Sequence, residues 1–241
     1  MMFGMGGNND STLCATILAN KHQISWHTKG GVQRPNYIDS FLRASTFRID
    51  SEPGTAKEIH VPICDVLPMV HPDDLVFGGW DVSSMPMDKA MERACVLDYD
   101  LQRRVKSRMA LLGSPLPSIY YPDFIAANQE ARADTLSRVL ILEHIRADIR
   151  RFKAEHQPDP IVVFWTANTE RYSDIIPGVN DTADSLLTSI RSSQPETSPL
   201  TLFAVAAILE GEPFVNGAPP EYARARCHRA CQAREVFHWW R

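Results

Sequence analysis

No stretch of this chain stays apolar for long. The longest runs, "PIVVFW" and "LFAVAAIL", fall far short of the roughly 20 residues a helix needs to cross a bilayer. The opening "MMFGMGGNND" has neither the basic nor the apolar region of a secretory leader. Cysteine is scarce: five in 241 residues, at positions 14, 64, 95, 227 and 231. Their irregular spacing argues against a disulfide framework and for reduced thiols. Charge of one sign is also lacking. With 25 basic and 29 acidic residues, the net charge is −4, which gives neither nucleic acid nor an anionic membrane an electrostatic reason to bind. These absences predict a cytoplasmic protein. There is no Walker loop, no G-x-S-x-G elbow and no catalytic dyad. His22, His27, His60, His71 and His144 are scattered without a paired carboxylate or nucleophile, and "CHRAC" (Cys227, His228, Cys231) has no second ligand pair for zinc.

What is present is an alternation of strand-like and helix-like segments. "MMF" runs into the glycine cluster "GMGGNN", and "DSTLCATILANK" follows with Leu13, Ile17 and Leu18 at helical spacing. Residues 21–60 are polar, broken by "KGG" and "EPG", and read as an excursion between two core elements. "DDLVFGGWD" reads as a buried strand ending in two glycines and an acid. From Met87 to Leu112 one helix is predicted, with Met91, Ala94, Cys95, Leu97 and Leu101 on its apolar face. "SPLPSIYYPDFIAAN" is turn-rich. Glu130 to His156 reads as a long amphipathic helix, "PIVVFWTANTE" as an interior strand, "DTADSLLTSIRSS" as a capped helix, "SPLTLFAVAAILEG" as a helix stopped by Gly211, and "EPFVNGAP" as a short strand and turn. Strands alternating with helices predict an α/β fold, a Rossmann-like, doubly wound and mostly parallel sheet.

A dinucleotide pyrophosphate needs glycines where the backbone must approach it and a helix N-terminus whose free N–H groups meet its charge. Gly4, Gly6, Gly7 and the helix behind them supply both, although Asn9 holds the place of the third glycine in G-x-G-x-x-G. Three predicted strands end in small or polar residues, "GGWD", "WTANTE" and "VNGAP", on the side where open parallel sheets bind ligands. Each alone is compatible with an ordinary turn; together they point to a nucleotide cleft. Asp81 is placed to accept from a ribose hydroxyl, though it lies much farther along than the roughly 20 residues usual for that role.

The strings "GMGGNNDSTL", "ISWHTKGGVQRPNY", "LPMVHPDDLVFGGWDVS", "YYPDFIAANQEARA", "VVFWTANTERYSD" and "PFVNGAP", in order from Phe3 to Pro219, resemble the myo-inositol-1-phosphate synthase family. The resemblance implies an NAD cofactor, a cytosolic homotetramer, and conversion of glucose 6-phosphate to inositol 3-phosphate. That reaction proceeds by oxidation at C5, enolisation, aldol ring closure and reduction by the same cofactor, with no net redox change. It also implies NAD contacts at Gly6, Gly7, Asn8 and Asn9, at Asp81, at Ser118 and Ile119, at Gln129 and Arg132, at Thr166, Ala167, Asn168 and Thr169, and at Gly217 and Ala218.

Three departures accompany it. Asp10 stands where the family has glycine in "GGNNG"; its carboxylate either repels a pyrophosphate or caps the helix. The first strand is almost absent before the glycine loop, so the sheet is expected to be incomplete. After Pro219 the family pattern "QNT", "VPG", "GGDD" is replaced by "PEYARARCHRACQAREVFHWWR". Within codon degeneracy, removing one base from the Pro220 codon turns this tail into "QNTLVPGVIELARREKCFIGGD". The expectation is an NAD-binding domain over 1–219 and an off-frame tail over 220–241. The family's catalytic lysines and phosphate-binding region then lie beyond the break, and no catalytic residue is expected in this chain.

Overall fold

The structure is a computed structural model that describes residues 1–38, 40–55, 57–118, 121, 123–124, 137–168, 170–171 and 173–218. Strand β1 (Met2–Phe3) leads through the glycine loop into helix α1 (Asn8–Lys21). Two antiparallel hairpins follow, β2 (Trp26–Thr28) with β3 (Gly31–Gln33), and β4 (Thr46–Ser51) with β5 (Glu58–Pro62), with short helices α2 (Phe41–Ala44) and α3 (Ile63–Val66). The chain then returns to the core. In order come β6 (Gly79–Asp81), α4 (Met87–Ala94), α5 (Tyr99–Leu111), β7 (Leu116–Pro117), α6 (Arg138–His156), β8 (Val163–Trp165), α7 (Ala183–Arg191), α8 (Pro199–Glu210) and β9 (Phe214–Asn216).

The sheet runs β7-β6-β1-β8-β9, every pair parallel. Counting its own strands in chain order, this is 3-2-1-4-5, the doubly wound order with its switch point between β1 and β8. Successive residues of a strand face opposite sides, and β1 does so with only two. Met2 enters the core shared with α1, α4 and α5, whereas Phe3 enters the core shared with α6, α7 and α8. On the second face Phe3 stacks on Trp165 with ring centroids 3.9 Å apart, and Phe203 meets both edge-on. Helix α8 is buried almost throughout, as a helix apolar on every side must be. Ser198 caps it and Gly211, at φ 78°, ends it.

Three sequence expectations are corrected. The helix predicted from Met87 to Leu112 is two helices, because Cys95 adopts the left-handed conformation (φ 51°) and is exposed. Asp98, at the N-cap of α5, and Asp100, in its first turn, are drawn to the first hairpin, accepting from Trp26 Nε1 at 3.0 Å and His27 N at 2.9 Å. The turn-rich segment after Ser114 contains an edge strand, β7, paired with Trp80 and Asp81. The buried strand expected over "DDLVFGGWD" is only its last three residues, β6, and Leu75 and Val76 before it are exposed. The helix expected from Glu130 is described only from Arg138, and the expectation for 220–241 falls outside the described residues.

Candidate dinucleotide site

Because all five strands are parallel, their carboxyl ends share one edge, and the predicted loops meet there. Gly4 N and Met5 N donate to Trp80 O at 2.8 and 3.2 Å, which folds the loop after β1 onto the end of β6. Gly4 has φ +97°, and a Cβ there would lie 3.0 Å from Ala167 N. Only glycine brings the two strand ends this close without strain. Gly7 N turns back onto Gly4 O at 2.7 Å, and Gly7 occupies the N-cap of α1 with no side chain capping it. The amides of Asn8, Asn9 and Asp10 therefore stand in the first turn without intrahelical acceptors, at the positive end of the helix dipole. Asn8 and Asn9 are exposed; Asp10 is buried beneath them.

Asp81, at the end of β6, holds this loop. Its Oδ2 accepts from Gly6 N at 2.8 Å and its Oδ1 from Ser83 N at 2.7 Å. Arg93, reaching in from α4, donates to Gly6 O at 2.7 Å. Ser118, after β7, is buried, and its N–H donates to Asp81 O at 3.1 Å. Across the switch point, Thr166 N and Oγ1 both approach Phe3 O, at 3.0 and 2.8 Å, and Thr166 Oγ1 also contacts Asp10 Oδ2. Gly217 N donates to Trp165 O at 2.8 Å, and a Cβ on Gly217 would meet the Phe164 ring at 2.9 Å.

The predicted residues Gly6, Gly7, Asn8, Asn9, Asp81, Ser118, Thr166, Ala167, Asn168, Gly217 and Ala218 thus lie at one sheet edge, Asn8 and Asn9 in the first turn of α1, Asp81 at the end of β6 and the others in loops. Ile119, Gln129, Arg132 and Thr169 lie outside the described residues. Three participants were not found by sequence reasoning. Arg93 is 87 residues from its acceptor, so no local pattern points to it. Glu170 accepts from Leu200 N at 2.9 Å, joining the loop after β8 to the start of α8; burial pushes its carboxyl up to about 7. Arg171 forks onto Glu196 at 2.9 and 3.0 Å and donates to Asp123 O at 2.8 Å. Burial likewise pushes Asp10 up to about 6, with the neighbouring Asp81 adding to the effect.

A family model described as myo-inositol-1-phosphate synthase matches residues 1–241. The chain belongs to this family. The inositol-3-phosphate synthase of Saccharomyces cerevisiae is 48% identical over 233 residues, an alignment covering 91% of this chain and 43% of that protein. Isozyme 2 of Arabidopsis thaliana is 50% identical over 222 residues, with the same two coverages. The crystal structure of inositol-3-phosphate synthase from Caenorhabditis elegans superimposes with a TM-score of 0.92 at 42% identity, covering 98% of this chain and 47% of that one. The chain therefore spans less than half the length of these synthases. The region matched is the NAD-binding domain of the synthase family, which agrees with a glycine loop at the switch point of a doubly wound sheet. Among the described residues no group of histidine, cysteine, aspartate or glutamate is arranged to hold a metal, and no helix is long and apolar enough to cross a membrane.

Proposed function

We propose that this chain is the cofactor-binding part of an inositol-3-phosphate synthase, which isomerises D-glucose 6-phosphate to 1D-myo-inositol 3-phosphate. The carrying observation is the uncapped first turn of α1 beside Gly4–Gly7 at the β1/β8 switch point, a geometry suited to an anion between two nucleosides. Gly6, Gly7, Asn8 and Asn9 would hold the pyrophosphate, and Asp81, with lone pairs left beyond Gly6 and Ser83, would face a ribose. Ser118, Ile119, Gln129 and Arg132 would line one side; Thr166, Ala167, Asn168, Thr169, Gly217 and Ala218 would line the other. NAD, when bound, supplies a hydride acceptor that later returns the hydride, so the isomerisation needs no outside oxidant.

Turnover by the 241 residues alone is a separate question. Oxidation, enolisation and ring closure need acid, base and charge-stabilising groups around the sugar phosphate. Of charged groups the described residues around this edge offer Asp10, Asp81 and Arg93, with Glu170 and Arg171 in the loop after β8 already engaged by Leu200 N and Glu196. The second reading is a noncatalytic NAD-binding chain that associates with longer subunits. The same family reading carries a homotetramer and a cytoplasmic location for the longer protein. Calorimetric titration with NAD, followed by incubation with glucose 6-phosphate, tests both points. Binding is expected, with no inositol phosphate above a no-enzyme control. Product formation would overturn the noncatalytic reading, and failure to bind NAD would overturn the site. The proposal extends to 220–241 as an off-frame tail, on the reading-frame argument alone; the family model itself runs through residue 241.

A further inference from the structure

Thr166 Oγ1 carries one proton and approaches two oxygens, Phe3 O at 2.8 Å and Asp10 Oδ2. A carbonyl can only accept, and so can an ionised carboxylate. If Asp10 were ionised and took the hydroxyl proton, Thr166 Oγ1 and Phe3 O would face each other at 2.8 Å with no proton between them. With Thr166 as donor to both oxygens its one proton is shared between them; with a protonated Asp10, Thr166 donates to Phe3 O and accepts from Asp10, and each contact is a full hydrogen bond. Burial points the same way, since Asp10 is 2% exposed and an ion there would be stripped of water. We propose that Asp10 stands in the dinucleotide site as a neutral carboxylic acid, and that its proton controls the site's affinity for the cofactor's pyrophosphate. The proposal rests on the NAD reading above.

The reason lies in the position of Asp10 in the first turn of α1. A carboxylate inside that turn is itself an anion at the positive end of the helix, so it competes with the pyrophosphate it would lie beneath. As the acid it leaves the exposed amides of Asn8 and Asn9 to the ligand. The charged and titratable groups around it are Asp81 from β6, Cys14 from the next turn of α1 and the Met1 ammonium from the start of β1. Arg93 from α4 reaches the same loop. The Met1 ammonium donates to Val162 O at 2.6 Å and is lowered to about 6 by burial. It too loses charge as pH rises, so only a variant can assign the effect to Asp10.

The test is NAD affinity of the 241-residue chain from pH 5 to pH 8, measured for the unmodified chain, Asp10→Asn and Asp10→Gly. If only the protonated form binds, affinity falls with rising pH above 6, by up to about 100-fold at pH 8. Asp10→Asn keeps the shape, donates to Thr166 and does not titrate. It is expected to bind at pH 8 about as tightly as the unmodified chain does at pH 5, and Asp10→Gly is expected to lose the pH dependence too. A flat profile in the unmodified chain, or an undiminished fall in both variants, overturns the proposal and leaves the NAD reading standing. Infrared difference spectra give a readout without cofactor: a protonated-carboxyl band at pH 5, shared with Glu170, that is weaker in Asp10→Asn by one carboxyl. An equal band in the two proteins overturns the proton assignment. No NAD binding by any of the three proteins, with that difference present, overturns the control of affinity because the cofactor reading itself has failed.

Discussion

Replacing Asp81 by alanine tests whether this side chain holds the glycine loop or only awaits a ribose. In the structure it accepts from Gly6 N at 2.8 Å and Ser83 N at 2.7 Å. Alanine removes both acceptors, and the Gly6 amide is buried where water cannot replace them. Each lost acceptor costs about 1–3 kcal/mol, so Asp81→Ala is expected to lose about 2–6 kcal/mol. That is a large part of a typical domain stability of about 5–15 kcal/mol. Asparagine keeps one carbonyl and turns an amide toward the other N–H, so its loss should be about half as large. Urea unfolding should show a lower midpoint at unchanged slope, with a parallel loss of NAD affinity as the loop slackens. An Asp81→Ala protein within about 0.5 kcal/mol of the unmodified chain and with unaltered NAD affinity would refute the reasoning. Unaltered stability with lost affinity would restrict Asp81 to a ligand contact.

Gly4→Ala forces a side chain into φ +97° and within 3.0 Å of Ala167 N; a cost of about 1–3 kcal/mol and weaker NAD binding are expected by denaturation and titration. Glu170→Gln tests a buried acid. Burial raises this carboxyl from 4.5 to about 7, so both folded and unfolded states are protonated below 4.5 and no penalty exists there. Between 4.5 and 7 only the unfolded state ionises, and stability falls as pH rises. The full penalty, on the order of 3 kcal/mol, applies above 7. Glutamine still accepts from Leu200 N, so the variant should gain on the unmodified chain as pH rises from 4.5 to 7 and hold a constant lead beyond, read by unfolding at several pH values. Thr182→Ala removes the cap that accepts from Ser185 N at 3.1 Å; it should cost about 1 kcal/mol and lower Tm by about 2–4 °C.

Features written in adjacent residues were legible in the sequence. Val163–Trp165, Phe214–Asn216 and the end of "DDLVFGGWD", Gly79–Asp81, form parallel strands, and the residues after them meet at one edge. The fold class follows from that alternation. The break at Cys95 was not legible, because Asp98 and Asp100 are held by Trp26 and His27 of a hairpin some 72 residues away. Strand β7 has two residues, too few for any periodicity, and exists because Trp80 and Asp81 offer it a ladder. Within the site, Asp10 stood out as an acid in a glycine's place. Its state is set by burial and by Thr166, which lies 156 residues later.

Strand β1 precedes the sheet's other strands in the chain and sits in the middle of the sheet. One neighbour, β6, follows some 75 residues later, and Thr166, which closes the other side onto Phe3 O, comes 163 residues after Phe3. At about 5–20 residues per second, a ribosome needs roughly ten to thirty seconds to span that gap. Throughout it, Met2 and Phe3 have one flank uncovered, and the glycine loop lacks the strand that Gly4 packs against. The cofactor site is thus among the last parts of the domain to close. A nascent chain offers no finished pyrophosphate cradle until β8 emerges, and during that wait the apolar residues of β1 are the segment a chaperone would hold.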